Sequence, residues 1–481
     1  MRRFIERLPP ALFGRDGHGY YFRLDSGRGM ATGLGLAVQG RYDPAGRQSV
    51  ASLLRNYGPF AIAAYMLATA RWGSYLLPGP PYIGDVAILL LLGERAIAGL
   101  RGQTALGRVE LSVGLACGSL LLWSSLRLVF GSFSANAARD FAPYAYAILV
   151  FLTPAPTMSD LDRNRMQRVL LAALFFHTAW VTLVRLDRGF TNQLPKLAGG
   201  QSYIFEERPD VDATICAVFA LVLLNRAISG RTPTVYLALV AWNAALLFTD
   251  ASRAALAAAA VATAVLFLLT PARREVVRRH SPRVVVSVLV LAVSALAYAA
   301  THSFEVTRLN QVGGAFVPLA PTTGDPAPHA TGTARARVLA WQAIERYLEE
   351  QRSRDWLGVG FGPDFLHDSG ADQLLLGGPN QDVRQPHNYL INTWARLGLV
   401  GLLIVIAMLV IGIRLIAVVS ARGQISDVDL VAMLLVCALP VAGIYGVVLE
   451  SPFGALPYFW ALGYLGTRAL ELRSIVPTRR A

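Results

Sequence analysis

Along most of this chain, apolar runs of about 20 residues follow one another with only short polar breaks, and that is the length an α-helix needs to cross a bilayer's hydrocarbon core. About 12 such runs can be drawn: 58–78, 82–99, 109–131, 138–156, 166–186, 211–229, 233–250, 252–270, 283–301, 394–417, 427–447 and 454–472. In hydrocarbon every backbone polar group must be satisfied within the protein, which confines such a chain to a helical bundle. The expected fold is therefore an all-α polytopic integral membrane protein of about 12 transmembrane helices, with a large loop between helices 9 and 10. Asp85, Glu94 and Arg95 crowd the second run, and only "TDASR" (249–253) separates the seventh from the eighth. Composition agrees, since 16% of residues are charged where a soluble domain carries about a quarter.

The runs divide the chain into a basic N-terminal extension (1–55), helices 1–9 (56–301), a loop domain with amphipathic helices (302–393), helices 10–12 (394–475) and a tail (476–481). The extension lacks the apolar core of a cleaved signal peptide. It reads as cytosolic and partly disordered, resting on anionic membrane lipid. The net charge of +13 comes from arginine, because Lys196 is the only lysine. Basic charge on a polytopic protein marks cytoplasmic loops, so no nucleic acid is implied. With the N-terminus inside, the inner loops hold Arg95, Arg101 and Arg108, then Arg163, Arg165 and Arg168, then Arg226 and Arg231. The five arginines of "ARREVVRRHSPR", then Arg414 and Arg422, continue the pattern. Cys117, Cys216 and Cys437 lie in apolar stretches and read as small buried hydrophobes, with no disulfide framework and no metal spacing.

This orientation places residues 302–386, "TDASR" and the start of the tenth span on the outer face. Arg71, Asp85, Arg127, Arg139, Arg185, Arg253 and Arg396 fall toward the same side. A charge at the bilayer centre costs roughly 2.5–3.5 kcal/mol on insertion scales, so such arginines either snorkel, pair locally or line a wet cavity. Arg71 with Asp85 is one local pairing that the sequence allows. Taken together the arginines read as a cationic vestibule for phosphate, which guanidinium matches in bidentate fashion.

Within the outer loop, "TARARVLAWQAIERYLEEQ" (333–351) puts Arg337, Trp341, Ile344 and Leu348 on one stripe of an amphipathic helix. The glycines of "DWLGVGFG" (355–362) follow a helix instead of a strand, which argues for a tight turn and against a nucleotide loop. In "QPHNYLINTWARLG" a helix is expected to begin near His387, with Ile391 and Trp394 on the same side. A helix N-terminus disfavours imidazolium, so His387 should be neutral and able to accept a proton. A lone histidine near a helix end is also compatible with a structural role.

Ser252–Arg253 after a span, Arg337-x-x-x-Trp341, Gly358 and Gly360, then His387–Asn388 with Gly398 and Gly401 form an order of motifs. That order resembles the bacterial O-antigen ligase and polysaccharide polymerase superfamily. The resemblance covers about 55–475 through topology and 250–402 through motifs. It implies a metal- and cofactor-independent glycosyltransferase of the bacterial cytoplasmic membrane, working on the extracytoplasmic face. Its implied donor is a glycan on a polyprenyl diphosphate, its acceptor a glycan or lipid hydroxyl, and its further partners other polysaccharide-assembly proteins. It assigns acceptor activation to His387 and the diphosphate to Arg253 and Arg337. Arg335 competes for the loop-arginine role, although the spacing to tryptophan favours Arg337. Ser252, Asn388, Arg396, Arg139 and Arg185 are the further candidates for substrate binding. Pro209–Asp210 stands where many relatives have Pro-Asn, a departure that signals either a different acceptor or nothing.

A sugar diphosphate already carries a good leaving group, so the residues required are cations for the departing phosphate and a base for the incoming hydroxyl. Attack from the face opposite the phosphate would invert the anomeric carbon. A flippase for lipid-linked saccharides is the main rival, and it would be expected to show internal repeats and midplane polar residues. Polymerase and ligase both fit, with length and N-terminal extension leaning toward a polymerase.

Overall fold

The computed structural model describes residues 13–16, 19–22, 50–77, 81–102, 109–131, 133–153, 160–187, 189–197, 202–229, 233–249, 252–268, 328–376, 384–422 and 425–475. The expected ninth span (283–301), the arginine-rich segment before it, the first part of the outer loop and the side chain of Arg335 lie outside the described residues. The chain divides into two units, 1–48 and 49–481. In the first, β1 (Phe13–Asp16) and β2 (Gly19–Phe22) pair antiparallel, Phe13 opposite Phe22 and Asp16 opposite Gly19. This hairpin is the described part of the extension expected to be partly disordered.

The second unit is a helical bundle. Its first part comprises α1 (Val50–Ser74), α2 (Ile83–Leu100), α3 (Leu111–Val129) and α4 (Ala135–Ala145), which runs on through a 3₁₀ turn (Tyr146–Ile148) into α5 (Leu149–Leu152). Then come α6 (Asp160–Leu186), α7 (Phe190–Gln193), α8 (Pro209–Ser229), α9 (Pro233–Thr249) and α10 (Arg253–Leu268). After the undescribed stretch, α11 (Pro328–Glu349), α12 (Arg352–Leu357), α13 (Phe365–Asp368) and α14 (Ala371–Leu376) form the loop domain. The chain closes with α15 (Tyr389–Arg422), α16 (Asp427–Tyr445) and α17 (Pro452–Ile475). Every expected span among the described residues coincides with helix. By length and composition, α3, α6, α8, α15 and α16 suffice to cross a membrane. The other helices here are shorter, more charged or interrupted, as α2 is by Asp85, Glu94 and Arg95.

α16 is buried along most of its length and packs against α8, α10, α15 and α17, while α17 also lies on α1. In the loop domain, Ala340, Ile344 and Leu348 of α11 close over Phe365, Leu366 and Ala371, with Ala395 of α15 beneath. The expected amphipathic stripe is therefore the packed face of α11.

α15 breaks at Gly398, where φ is 68° and ψ −172°. A break frees carbonyls on its N-terminal side, and these need donors from elsewhere. The loop domain and α3 supply them. Val359 N–H donates to the Ala395 carbonyl (2.7 Å), Gly360 N–H to Arg396 (3.0 Å) and the Trp123 indole to Leu397 (2.8 Å). The segment after α12 thus lies backbone against backbone on the kink. A Cβ on Gly358 would stand 2.4 Å from the Arg396 carbonyl, and one on Gly398 2.2 Å from that of Trp356. These glycines serve that close approach as well as the turn.

At the end of the bundle where α2 finishes and α16 begins, charges are paired. Arg55 meets Glu94 at 2.7 Å, Arg226 meets Asp427 at 2.7 Å, and Arg414 meets Glu110 at 2.6 Å. Buried Arg95 donates to the Arg55 and Leu152 carbonyls, both at 2.8 Å.

Candidate functional site

At the other end, the termini of α1, α4, α8 and α15 and the α16–α17 link surround a cavity of about 190 Å³. Its polar lining includes Arg71, Arg139, Arg208, Arg384, His387 and Glu450, with Tyr75, Tyr82 and Tyr146 among its aromatic residues. Among the described residues, the non-glycines with positive φ are Ala70 (48°), Phe205 (59°) and His387 (55°), and each lies at or beside this site. Left-handed backbone at such residues persists only where the surroundings hold it, and it gathers at functional sites. Ala70 breaks the last turn of α1 just before Arg71. Phe205 is gripped by Trp72 (ring centroids 5.2 Å apart) and Trp180 (5.9 Å, nearly parallel), which sets the course of the link into α8.

That link neutralises two of the expected cations. Glu206 takes Arg71 at 2.6 Å and Glu207 takes Arg185 at 2.7 Å. Local pairing is thus the arrangement for both, and Arg185 is absent from the cavity lining. The suggested Arg71–Asp85 pair is not formed, because Asp85 accepts from the Tyr146 hydroxyl (2.7 Å) and the Tyr82 N–H (2.8 Å). Arg208 leans on Asp210 at 3.1 Å. Arg139, exposed on α4, forms no ion pair with any described residue.

His387 sits just outside its helix, since α15 begins at Tyr389, close to the expected start. Asn388 is the cap, its side-chain oxygen accepting from the N–H groups of Leu390 (3.0 Å) and Ile391 (3.2 Å). The Asn388 oxygen expected to meet substrate therefore closes the helix. Ile391 and Trp394 pack into the loop domain, whereas the left-handed turn at His387 carries its ring to the cavity. Trp341 secures that turn from α11, its indole donating to the Pro386 carbonyl at 2.9 Å. One helical turn earlier on α11, Arg337 donates to the Tyr445 carbonyl at 2.7 Å. The Arg-x-x-x-Trp spacing thus lets one helix face hold the histidine segment and bring a cation beside it.

The His387 ring has no hydrogen-bond partner among the described residues. Burial, with the positive charges of Arg337 and Arg208 pushing the same way and Asp210 opposing, drives its pKa down to about 4. The ring is neutral near pH 7, as expected, but burial and neighbouring cations are the cause here. Arg337 is itself pulled below the usual arginine range by burial, with Asp210 opposing and Arg253 and Arg208 adding to the drop. His387, Arg337 and Arg253 therefore share one electrostatic neighbourhood with Arg208 and Asp210. Ser252 fixes Arg253 as the first residue of α10, its hydroxyl accepting from the Ala255 N–H at 3.3 Å.

Arg396 is the clearest displacement from the expected set. Only 1% exposed, it meets Asp140 at 2.9 Å, donates to the Pro363 carbonyl at 2.7 Å and lies 4.7 Å from the Phe365 ring centroid. Arg384 joins the same carboxylate at 3.0 Å and donates to the Gly362 carbonyl at 2.8 Å. This node fastens the loop domain to α4. Sequence reasoning passed over Asp140, Arg384, Arg208 and Glu450. Asp140 directly follows Arg139 and Arg384 precedes His387 by three residues, but nothing local marks them as partners. Among the described residues, no group of three or more His, Cys, Asp or Glu side chains is placed to hold a metal ion.

A kinked helix locked to a glycine-containing loop, with a histidine at its lip and an Arg-x-x-x-Trp helix over it, repeats the motif order read from the sequence. Residues 237–406 match the O-antigen ligase family. No curated protein matches the chain. The O-antigen ligase region runs from α9 into α15 and contains Arg253, Arg337, Trp341, Gly358, Gly360, His387 and Gly398. The match supports a role in ligating or polymerising surface polysaccharide and implies a lipid-linked glycan and an acceptor as substrates in general terms, and together with the apolar helices it suggests a multi-pass membrane protein. Arg71, Arg139, Arg208 and Glu450 line the cavity from outside the matched residues.

Proposed function

We propose that the protein transfers a glycan from a polyprenyl diphosphate to an acceptor hydroxyl, without a metal, on the extracytoplasmic face of a bacterial inner membrane. The observation that carries this reading is a neutral His387, its ring without a hydrogen-bond partner among the described residues, opening into a cavity lined by Arg208 and Arg139 with the charge of Arg337 close by. A His387 ring nitrogen takes the proton from the acceptor hydroxyl as its oxygen bonds to the anomeric carbon. The bond from that carbon to the phosphate breaks, and polyprenyl diphosphate leaves with its charge held by Arg337 and Arg253. Arg335, two residues from Arg337, remains the competitor for that loop position. Arg139 is a further phosphate ligand in this scheme. Attack opposite the leaving group inverts the anomeric centre. Placement on the outer face is supported by the basic loops at the paired end of the bundle.

The test uses purified, reconstituted protein supplied with polyprenyl-diphosphate oligosaccharide in EDTA. Wild type should build or transfer glycan, and His387→Ala should lower the rate by about 10²–10⁴-fold, the usual contribution of a general base. Product length then separates a polymerase from a ligase. Equal rates would remove His387 from the chemistry, and movement of the lipid-linked sugar across the bilayer without transfer would favour a flippase.

A further inference from the structure

The α16–α17 link carries Glu450, an acid that the scheme above does not use. Its side chain is 4% exposed and lines the same cavity. Neither carboxyl oxygen has a hydrogen-bond partner among the described residues. Its backbone is tied to the histidine segment, since the Gln385 side-chain amide donates to the Glu450 carbonyl at 3.4 Å, two residues before His387. Burial pushes the carboxyl well above the usual carboxylate range, against the pull of Arg208. A buried polar group left without a partner costs stability, so its retention in a cavity wall points to a ligand that supplies the partner.

The chemistry of that ligand group can be narrowed. A cationic group would have to sit beside Arg139, which pairs with no described carboxylate and repels it, while Arg71 and Arg208 are already held by Glu206 and Asp210. A phosphate is served by Arg139 and gains little from a carboxyl. A hydroxyl donates and accepts at once, matching a carboxylic acid on both counts and tolerating the surrounding cations.

We propose that Glu450 is a sugar-binding residue, whose carboxyl group holds a hydroxyl of the glycan at the cavity wall formed by the α16–α17 link and thereby selects which sugar reacts. This assignment rests on the glycan-transfer reading. The hydroxyl belongs to the donor or to the acceptor, and the substrate whose KM responds identifies which.

The experiment compares wild type, Glu450→Leu and Glu450→Gln in reconstituted form. Transfer is measured with the lipid-linked glycan extracted from the cells that make the protein, and binding with bare polyprenyl diphosphate. Leucine removes both hydrogen-bonding atoms while keeping the site filled, so the thermal midpoint should hold or rise. Transfer by Glu450→Leu should fall about 100-fold in kcat/KM, as when a site built around a hydroxyl loses its partner. Glutamine, which donates and accepts from the same place, should recover most of that loss. Binding of bare polyprenyl diphosphate should be equal in all three. Undiminished transfer by Glu450→Leu, failure of that variant to fold, or weakened binding of the bare lipid would each overturn the assignment. A wild type that neither transfers glycan nor binds the bare lipid would overturn the functional reading itself, and this assignment with it.

Discussion

At one end of the bundle Arg55, Arg226 and Arg414 each rest on a carboxylate, Glu94, Asp427 and Glu110 respectively, at 2.6–2.7 Å. At the other end Arg71 and Arg185 are matched in the same way. There, however, Arg139 forms no ion pair with any described residue, and it lines a cavity together with His387 and Glu450, whose ring and carboxyl have no hydrogen-bond partner among the described residues. Both ends are rich in arginine, so arginine content does not locate the site. What separates them is the cavity, which gathers Arg139, His387 and Glu450 at the one end. A paired arginine is a fastening, whereas a polar group left open in a cavity awaits a ligand.

The largest effects that would test this contrast belong to the open end. Arg337→Ala and Arg253→Ala should each lower kcat/KM by about 10²–10³-fold, as loss of a charge-stabilising group does. Lysine should recover little, because a point charge cannot reproduce the bidentate fork. An equal loss in Arg226→Ala, measured alongside, would break the distinction between the two ends.

Next in size is the seam that holds the loop domain over the cavity. Gly398→Ala forces a Cβ into left-handed backbone 2.2 Å from the Trp356 carbonyl. Strain of that kind costs on the order of 1–3 kcal/mol before any clash is counted. The thermal midpoint should fall, transfer should fall with it, and proteolysis within 328–376 should speed up. An unchanged midpoint would mean that the loop domain does not depend on the kink.

A smaller effect concerns acidity. His387 acts as a base only when neutral, and its pKa lies near 4 instead of the ordinary 6.5. Activity on the histidine limb should therefore persist as pH falls through 6 and 5 and decline around 4, in kcat/KM, which reports the free enzyme. Arg208→Gln removes one of the charges that disfavour imidazolium, so its limb should move toward neutral pH. A wild-type limb near 6.5 would show that burial and cations do not act on the ring as the geometry requires.

The smallest change is expected at the paired end. Arg226→Gln breaks a partly exposed ion pair with Asp427 and should cost less than about 1 kcal/mol, leaving transfer unchanged. A marked loss of transfer would mean that the pairs at this end reach the chemistry.

The helices were legible in the sequence because hydrocarbon accepts little else, and "IGDVAILLLLGERAIAGL" (83–100) was readable as helix despite its charges. Arg253, Arg337 and His387 were legible as a group because their order along the chain matches a family motif. Their individual settings were not. A helix start near His387 was legible, but that Asn388 caps α15, leaving His387 outside it with left-handed backbone, was not. Arg396 looked like a substrate cation because its partner, Asp140, lies 256 residues away and nothing along the chain links the two.

The sequence by itself determined the helical character of the chain, the positions of the expected spans among the described residues and the family resemblance, since apolar length and motif order are local properties. Only the tertiary structure decided which polar groups are used up and which stay available. That depends on what stands opposite each one. Glu206 reaching Arg71, Asp140 reaching Arg396, and no described residue reaching Glu450 are facts of three-dimensional packing between distant segments.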